Sequence, residues 1–330
     1  MPILIDVFFL LAGLTALYFG AEWLVNGAAK LAVKYGISAL VVGLTVVAFG
    51  TSAPELFVSI GFNEGGRPDM ALGNVIGSNI CNIGLVLGVS AFICVLKIKR
   101  DLLLRDLPIL LIATLVFSWM LMNGMVTRVE GILLFLAVLA YTIFQLFLAK
   151  KVKNPEVIEA FEVEFDPNEA KVEPIWKLVV LILVGLVGLY FGAEWLERGG
   201  VSLAVKFGVP EAVIALTLIA FSTSVPELAT SIVASLKKEG DIITGNLIGS
   251  CIFNLLCVIG VTAWIKPIAT EGIEMVDLYV MIGLTVFLML IMFTGKRISR
   301  WEGAALLLAY VGYTAFLFVT RVAPQATASL

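Results

Sequence analysis

Read from the N-terminus, the chain alternates long apolar stretches with short polar ones. The apolar stretches reach or exceed the ~20 residues a helix needs to cross a ~30 Å hydrocarbon core. Ten of them lie near residues 5–29, 38–62, 71–96, 102–122, 130–149, 176–198, 210–236, 243–266, 276–294 and 302–320. An open strand cannot satisfy its backbone in lipid, so every stretch is predicted as a helix. The pattern predicts an all-α polytopic membrane protein with ten transmembrane helices.

The second stretch carries a polar break, Gly50-Thr51-Ser52-Ala53-Pro54-Glu55. Proline removes a backbone donor and clashes with the preceding turn, and glycine favours unwinding. The helix is predicted to loosen there and leave carbonyls near Ala48 free. A carboxylate at bilayer depth costs roughly 2.5–3.5 kcal/mol on insertion scales, which makes Glu55 a functional candidate. The plainer reading is a proline-kinked helix whose glutamate meets a buried lysine or arginine.

What stands 172 residues later weighs against that plainer reading. The break returns as Ser222-Thr223-Ser224-Val225-Pro226-Glu227, preceded by Ala220. The same offset relates Leu17–Leu24 to the identical octamer Leu189–Leu196, and Gly73–Asn82 to Gly245–Asn254. The chain is a duplicated unit, with residues 1–149 and 175–330 as the copies and 150–174 as a linker. Five spans per copy is an odd number, so the second copy is expected to enter the membrane upside down, as two inverted five-helix repeats. Of the 22 lysines and arginines, 16 fall on the side opposite the N-terminus. Both termini are therefore expected to be extracytoplasmic and the linker cytoplasmic.

Composition narrows the function. With 60% hydrophobic and 14% charged residues the chain lies outside the soluble class. A net charge of −3 offers no basic footprint for nucleic acid. The expected partners are inorganic cations and the lipid bilayer, with the monomer as the functional unit. Histidine is absent, which excludes zinc-protease, Ser–His and histidine-relay chemistry. With no intramembrane aspartate dyad either, neither an enzyme nor a cofactor is expected. The four cysteines sit in apolar runs without a pairing pattern, although Cys81 and Cys251 adjoin the motifs. The acidic linker residues Glu156, Glu159, Glu162, Glu164, Asp166, Glu169 and Glu173 read as a solvated tether in preference to a weak cation site. Glu22 and Glu194, in the identical octamers, read as interfacial carboxylates beside Trp23 and Trp195, with a gate as the alternative. The Gly13/Gly20 and Gly185/Gly188/Gly192 spacings read as close helix contact.

Four broken or glycine-rich segments converge by symmetry, and their last polar residues are Glu55, Asn82, Glu227 and Asn254. A midplane site built from interrupted helices is the secondary-transporter arrangement. Four carboxylate and two amide oxygens suit Ca²⁺, which takes 6–8 oxygens at roughly 2.3–2.6 Å, whereas Mg²⁺ keeps its waters. Transition metals would favour imidazole or thiolate. Thr51, Ser52, Ser78, Thr223, Ser224 and Ser250, with carbonyls near Ala48 and Ala220, supply neutral oxygens suited to Na⁺. Two ionised glutamates neutralise one Ca²⁺, or are satisfied instead by several Na⁺ or two protons. A site unable to hold both loads at once couples them, whereas a passive cation channel would need no such competition.

Both halves resemble the alpha repeats of the cation/calcium antiporter superfamily. The pair GTSAPEL and GSNICN, echoed by STSVPEL and GSCIFN, is most similar to its sodium/calcium exchanger branch, as a prokaryotic member. The resemblance implies an inner-membrane antiporter with an extracytoplasmic N-terminus, alternating access by sliding of helices 1 and 6, and electrogenic exchange of three Na⁺ for one Ca²⁺. It implies Ca²⁺ ligands at Glu55, Asn82, Glu227 and Asn254. It implies Na⁺ ligands at Ala48, Thr51, Ser52, Glu55, Ser78, Ala220, Thr223, Ser224, Glu227 and Ser250. Potassium-dependent relatives carry aspartate where Asn254 stands, which argues against K⁺ co-transport. Ser222 replaces the glycine of the first break and is expected to stiffen the second. Proton-coupled members read Gly-Asn-Ala-Xaa-Glu, so Thr-Ser-Xaa-Pro-Glu favours sodium over an H⁺/Ca²⁺ antiporter.

Overall fold

The computed structural model describes residues 3–151, 173–207, 220–271 and 273–322. The first half carries α1 (Ile3–Tyr35), the bent pair α2 (Ala39–Thr51) and α3 (Ala53–Glu64), α4 (Pro68–Ile93), α5 (Leu102–Leu121) and α6 (Arg128–Lys151). The second half carries α7 (Ile175–Lys206), α8 (Val225–Leu236), α9 (Gly240–Ile265), α10 (Met275–Gly295) and α11 (Arg300–Leu317). Among the described residues eight helices are long and apolar enough to span a membrane, and α2 with α3 forms a ninth. The start of the predicted seventh stretch, 210–219, and the acidic run from Glu156 to Glu169 lie outside the described residues. The chain is a mostly helical polytopic membrane protein.

Two helices overrun their expected bounds. α1 has 33 residues and α7 has 32, against predicted spans of 5–29 and 176–198. At 1.5 Å per residue each is about 50 Å long, so each tilts or projects beyond the hydrocarbon. Lys30 and Lys34 end the apolar pattern of α1 but not the helix, and Lys206 is the last residue of α7. Their charges instead grip the start of the opposite helix. Lys30 pairs with Glu173 at 2.7 Å, Lys34 donates to the Glu173 carbonyl, and Lys206 pairs with the buried Asp6.

Between those ties α1 and α7 run antiparallel on glycine. Gly13, Gly20 and Gly27 recur every seven residues on one helix, and Gly185, Gly192 and Gly199 on the other. A Cβ at Gly20 would sit 2.7 Å from the Leu189 backbone nitrogen, and one at Gly185 would sit 2.7 Å from that of Leu24. Without a hydrophobic force between helices in lipid, such backbone approach is what holds them together.

The helical expectation needs one amendment: among the described residues, four two-residue strands lie at the loop ends. They are β1 (Leu96–Lys97), β2 (Met125–Val126), β3 (Ile268–Ala269) and β4 (Arg297–Ile298). β1 pairs antiparallel with β4, and β2 with β3. By the 172-residue offset β1 corresponds to β3 and β2 to β4, so each half borrows its partner strand from the other. Two left-handed turns also recur, at Gly66 (φ 78°) with Lys238 (58°) and at Gly124 (83°) with Lys296 (47°).

α4 and α9 form the centre. From Ile242 to Phe253 every residue of α9 is buried. The outer faces of α1, α6, α7 and α11 carry exposed Phe8, Phe147, Leu183 and Leu308, the apolar surface a bilayer covers. Trp119, Trp176, Trp264 and Trp301 are exposed at helix ends, as expected of an interfacial belt.

Candidate functional site

The chain bends by 41° between α2 and α3, at Ser52 (φ −88°, ψ 7°). A corresponding break falls at Ser224 (φ −91°, ψ 1°), between the short turn Ala220–Ser222 and α8. Pro54 and Pro226 stand in the first turn after each break, where a missing N–H does no harm. Glu55 and Glu227 occupy the same first turns, at the positive ends of α3 and α8. Both are fully buried.

One expectation about the break is corrected. The Ala48 carbonyl is not released, because it accepts the Ser52 N–H at 3.0 Å. The Thr51 hydroxyl also lies 3.5 Å from it. In the second half the Ser224 N–H donates instead to the Phe221 carbonyl, at 3.1 Å. Ser222 does not prevent the break. A Cβ at Gly50 would meet the Leu186 Cδ2 at 2.4 Å, whereas Leu14, the repeat mate of Leu186, is exposed. Glycine at 50 makes room for α7.

The second pair of candidates rests on helix irregularities that the sequence did not announce. Asn82 and Asn254 each open a five-residue π-helical turn, Asn82–Val86 in α4 and Asn254–Val258 in α9. Such bulges gather at functional sites, because the extra residue re-aims a side chain. α9 is pressed onto α2 through Gly245 and Gly249, whose Cβ positions would lie 2.6 Å from the Leu40 carbonyl oxygen and 2.8 Å from the Ala48 Cβ. That contact brings Ser250 against Thr51, hydroxyl to hydroxyl at 3.5 Å.

Glu227 Oε1 accepts the Ser52 hydroxyl at 2.9 Å and the Ser250 hydroxyl at 3.3 Å. Its repeat mate is bare, since neither oxygen of Glu55 has a partner. Glu227 Oε2, Oδ1 of Asn82 and Asn254, and the Ser78 and Ser224 hydroxyls are likewise buried and unpartnered. These residues present seven buried oxygens without a hydrogen bond. A buried polar group left unsatisfied costs about 1–3 kcal/mol, and an unpaired charge far more. Glu55 and Glu227 lie within electrostatic reach of one another. Five of the seven belong to the two glutamates and two asparagines, hard oxygen donors of the kind Ca²⁺ accepts. Among the described residues no three acids or thiols gather as a soft-metal site would require.

Two residues escaped the sequence reading. Thr51 donates to Asn246 Oδ1 at 3.2 Å, and Thr223 donates to Asn74 Oδ1 at 3.2 Å. The two bonds are related by the 172-residue offset, and each crosses from one half to the other. Asn74 Nδ2 also holds the Glu55 carbonyl at 3.3 Å and the Ser59 hydroxyl at 3.0 Å. The repeated Gly-Asn-x-Ile-Gly-Ser motif carries the signal in its own asparagine, one turn ahead of the serine. Asn246→Leu is expected to lower cation flux about tenfold, the worth of one buried hydrogen bond, while the protein stays folded. Flux in vesicles and thermal unfolding, measured together, check this.

At the cation-rich end Lys237 reaches Asn26 and lies 3.7 Å from Glu22, both on α1. Glu22 is thus tied across helices rather than only solvated, whereas Glu194 is exposed as expected.

The family model for sodium/calcium exchanger protein matches residues 5–147 and 177–319, the two matches displaced by the same 172 residues. The chain belongs to this family. It is accordingly a membrane-spanning cation antiporter and not an enzyme. The antiporter is 30% identical over 347 residues to sodium/calcium exchanger MaX1 of Methanosarcina acetivorans, covering 96% of this chain and 99% of the relative. It is 36% identical over 263 residues to inner membrane protein YrbG of Escherichia coli, covering 78% and 79%. Its structure is similar to that of the sodium-calcium exchanger NCX_Mj soaked with 10 mM Na⁺ and zero Ca²⁺, with a TM-score of 0.82, 29% identity, and coverage of 97% and 99%.

Proposed function

We propose that the antiporter exchanges Ca²⁺ for Na⁺ across a prokaryotic inner membrane, three Na⁺ for one Ca²⁺, by alternating access. The observation that carries this is the pair of buried carboxylates, Glu55 and Glu227, with the unpartnered buried oxygens beside them, which a bound cation would satisfy. Ca²⁺ takes Glu55, Asn82, Glu227 and Asn254. Na⁺ takes the same carboxylates with the hydroxyls of Thr51, Ser52, Ser78, Thr223, Ser224 and Ser250 and the carbonyls of Ala48 and Ala220. The relatives named as sodium/calcium exchangers support sodium as the counter-ion.

Ten helices in two inverted repeats, residues 1–149 and 175–330 joined by 150–174, complete the reading. The strand exchange supports inversion. If the halves shared one orientation, β1 and β3 would lie at the same face, and β1 could not reach β4. The lysine and arginine bias supports extracytoplasmic termini. α1 and α7, packed glycine to glycine, act as the sliding pair.

Proteoliposomes loaded with Na⁺ are expected to take up labelled Ca²⁺, with a rate that depends on the membrane potential. At three Na⁺ out for one Ca²⁺ in, one net positive charge leaves per cycle, so an inside-positive potential should speed uptake. That charge is worth ~2.3 kcal/mol per 100 mV. Equal uptake driven by a pH gradient without Na⁺ would replace this reading with H⁺/Ca²⁺ exchange on the same glutamates, and uptake without any counter-ion would replace it with a channel.

A further inference from the structure

A cavity of about 650 Å³ opens on the cation-rich face, away from the glutamate cage. Lys97, Lys99, Lys238 and Arg300 line it, against the acids Glu239 and Asp241. Lys99 neutralises Asp241 at 2.5 Å. Lys97, Lys238 and Arg300 form no ion pair among the described residues, and all three are exposed. The cavity also receives the first residues of α9 and α11, Gly240 and Arg300, whose N–H groups give each helix a positive end.

The duplication supplies an internal control. At the repeat-related positions of Lys97, Lys99 and Lys238 stand Ala269, Glu271 and Gly66, and only Arg300 has a basic counterpart, Arg128. The same turns and strands form in both halves, so folding does not require these lysines. Lys238 is moreover held left-handed at φ 58°, a conformation that costs an L-residue and that Gly66 adopts freely. Topology does not require them either, because Arg100, Lys296 and Arg297 put positive charge on the same face without lining the cavity.

We propose that this cavity binds a phosphate-bearing anion through Lys97, Lys238 and Arg300. Two sources offer that chemistry, the phosphodiester headgroup of an anionic lipid and free phosphate. Headgroup binding would anchor the fixed part of the bundle, since neither α1 nor α7 lines the cavity.

The test uses the purified full chain in neutral detergent, with binding read by native mass spectrometry. Phosphatidylglycerol, phosphatidylcholine and inorganic phosphate are supplied separately. The triple variant Lys97→Gln, Lys238→Gly, Arg300→Gln is compared with Arg100→Gln, Lys296→Gln, Arg297→Gln, which removes equal charge from outside the cavity. Phosphatidylglycerol is expected to bind in preference to phosphatidylcholine, and the first variant to lose roughly tenfold or more in affinity, while the second stays within about twofold of the parent. Retention of inorganic phosphate with the same variant pattern supports the free-anion source instead. Equal losses in both variants, or no preference for phosphate-bearing anions, overturn the proposal. Lys238→Gly alone guards against misfolding. It relieves the left-handed strain, so it is expected to weaken binding without lowering thermal stability.

Discussion

Glu55→Gln and Glu227→Gln are each expected to abolish Ca²⁺ uptake, with Ca²⁺ affinity falling roughly a hundredfold or more. Each removes half the charge that compensates the ion, and stripping one partner from a buried ionic cluster costs about 3–5 kcal/mol. The ion-free protein should move the other way. Without cations the glutamates are buried close together, and neither carboxylate oxygen of Glu55 has a hydrogen bond, so neutralising one of them is expected to raise the melting temperature. Thermal unfolding with and without Ca²⁺ tests both halves of the argument. A variant that still gains stability on adding Ca²⁺ would place the ion elsewhere. The two variants should also differ. At Glu227 the Ser52 and Ser250 hydroxyls already converge on one carboxylate oxygen, so the amide of Glu227→Gln must turn its carbonyl toward them. The side chain of Glu55 has no such partners to satisfy, so Glu55→Gln is expected to disturb its surroundings less.

Gly20→Ala and Gly185→Ala are expected to bring the second large loss. Each added Cβ would sit 2.7 Å from backbone that cannot rotate away, so α1 and α7 must separate along their length. Overpacking of this kind costs about 1–3 kcal/mol, and here it falls on the contact proposed to move as one piece. Both variants should melt at lower temperature and carry Ca²⁺ much more slowly than the parent. Gly283→Ala, where an added Cβ meets nothing within 4 Å, should match the parent in both measurements. Unchanged flux in Gly20→Ala would mean that the close seam is not needed for transport.

Much of this was legible before any coordinates, because the duplication let each motif be read against its copy. A lone Pro54-Glu55 could be a kink with a salt bridge. Repeated at Pro226-Glu227 in the corresponding span, it becomes a pair of buried acids. Other features left no such trace. The π-helical turns at Asn82 and Asn254 contain no proline, so hydropathy runs straight through them. α1 outlasts its apolar run because Lys30 and Lys34 are good helix formers once clear of the lipid. The glycine spacings did announce close helix contact, but not that Gly27 and Gly199 extend it to a seven-residue repeat. The inequality of the glutamates, Glu227 held by two hydroxyls and Glu55 by none, is invisible in motifs that match so closely.

The exchange of strands between the halves bears on how the chain is made. When the first half leaves the ribosome, β1 and β2 are unpaired edges, and they stay so until residues 297–298 and 268–269 are synthesised. Thr51 and Thr223 likewise depend on asparagines from across the duplication. Biogenesis therefore has a late commitment point, when the final helices arrive and both halves close together.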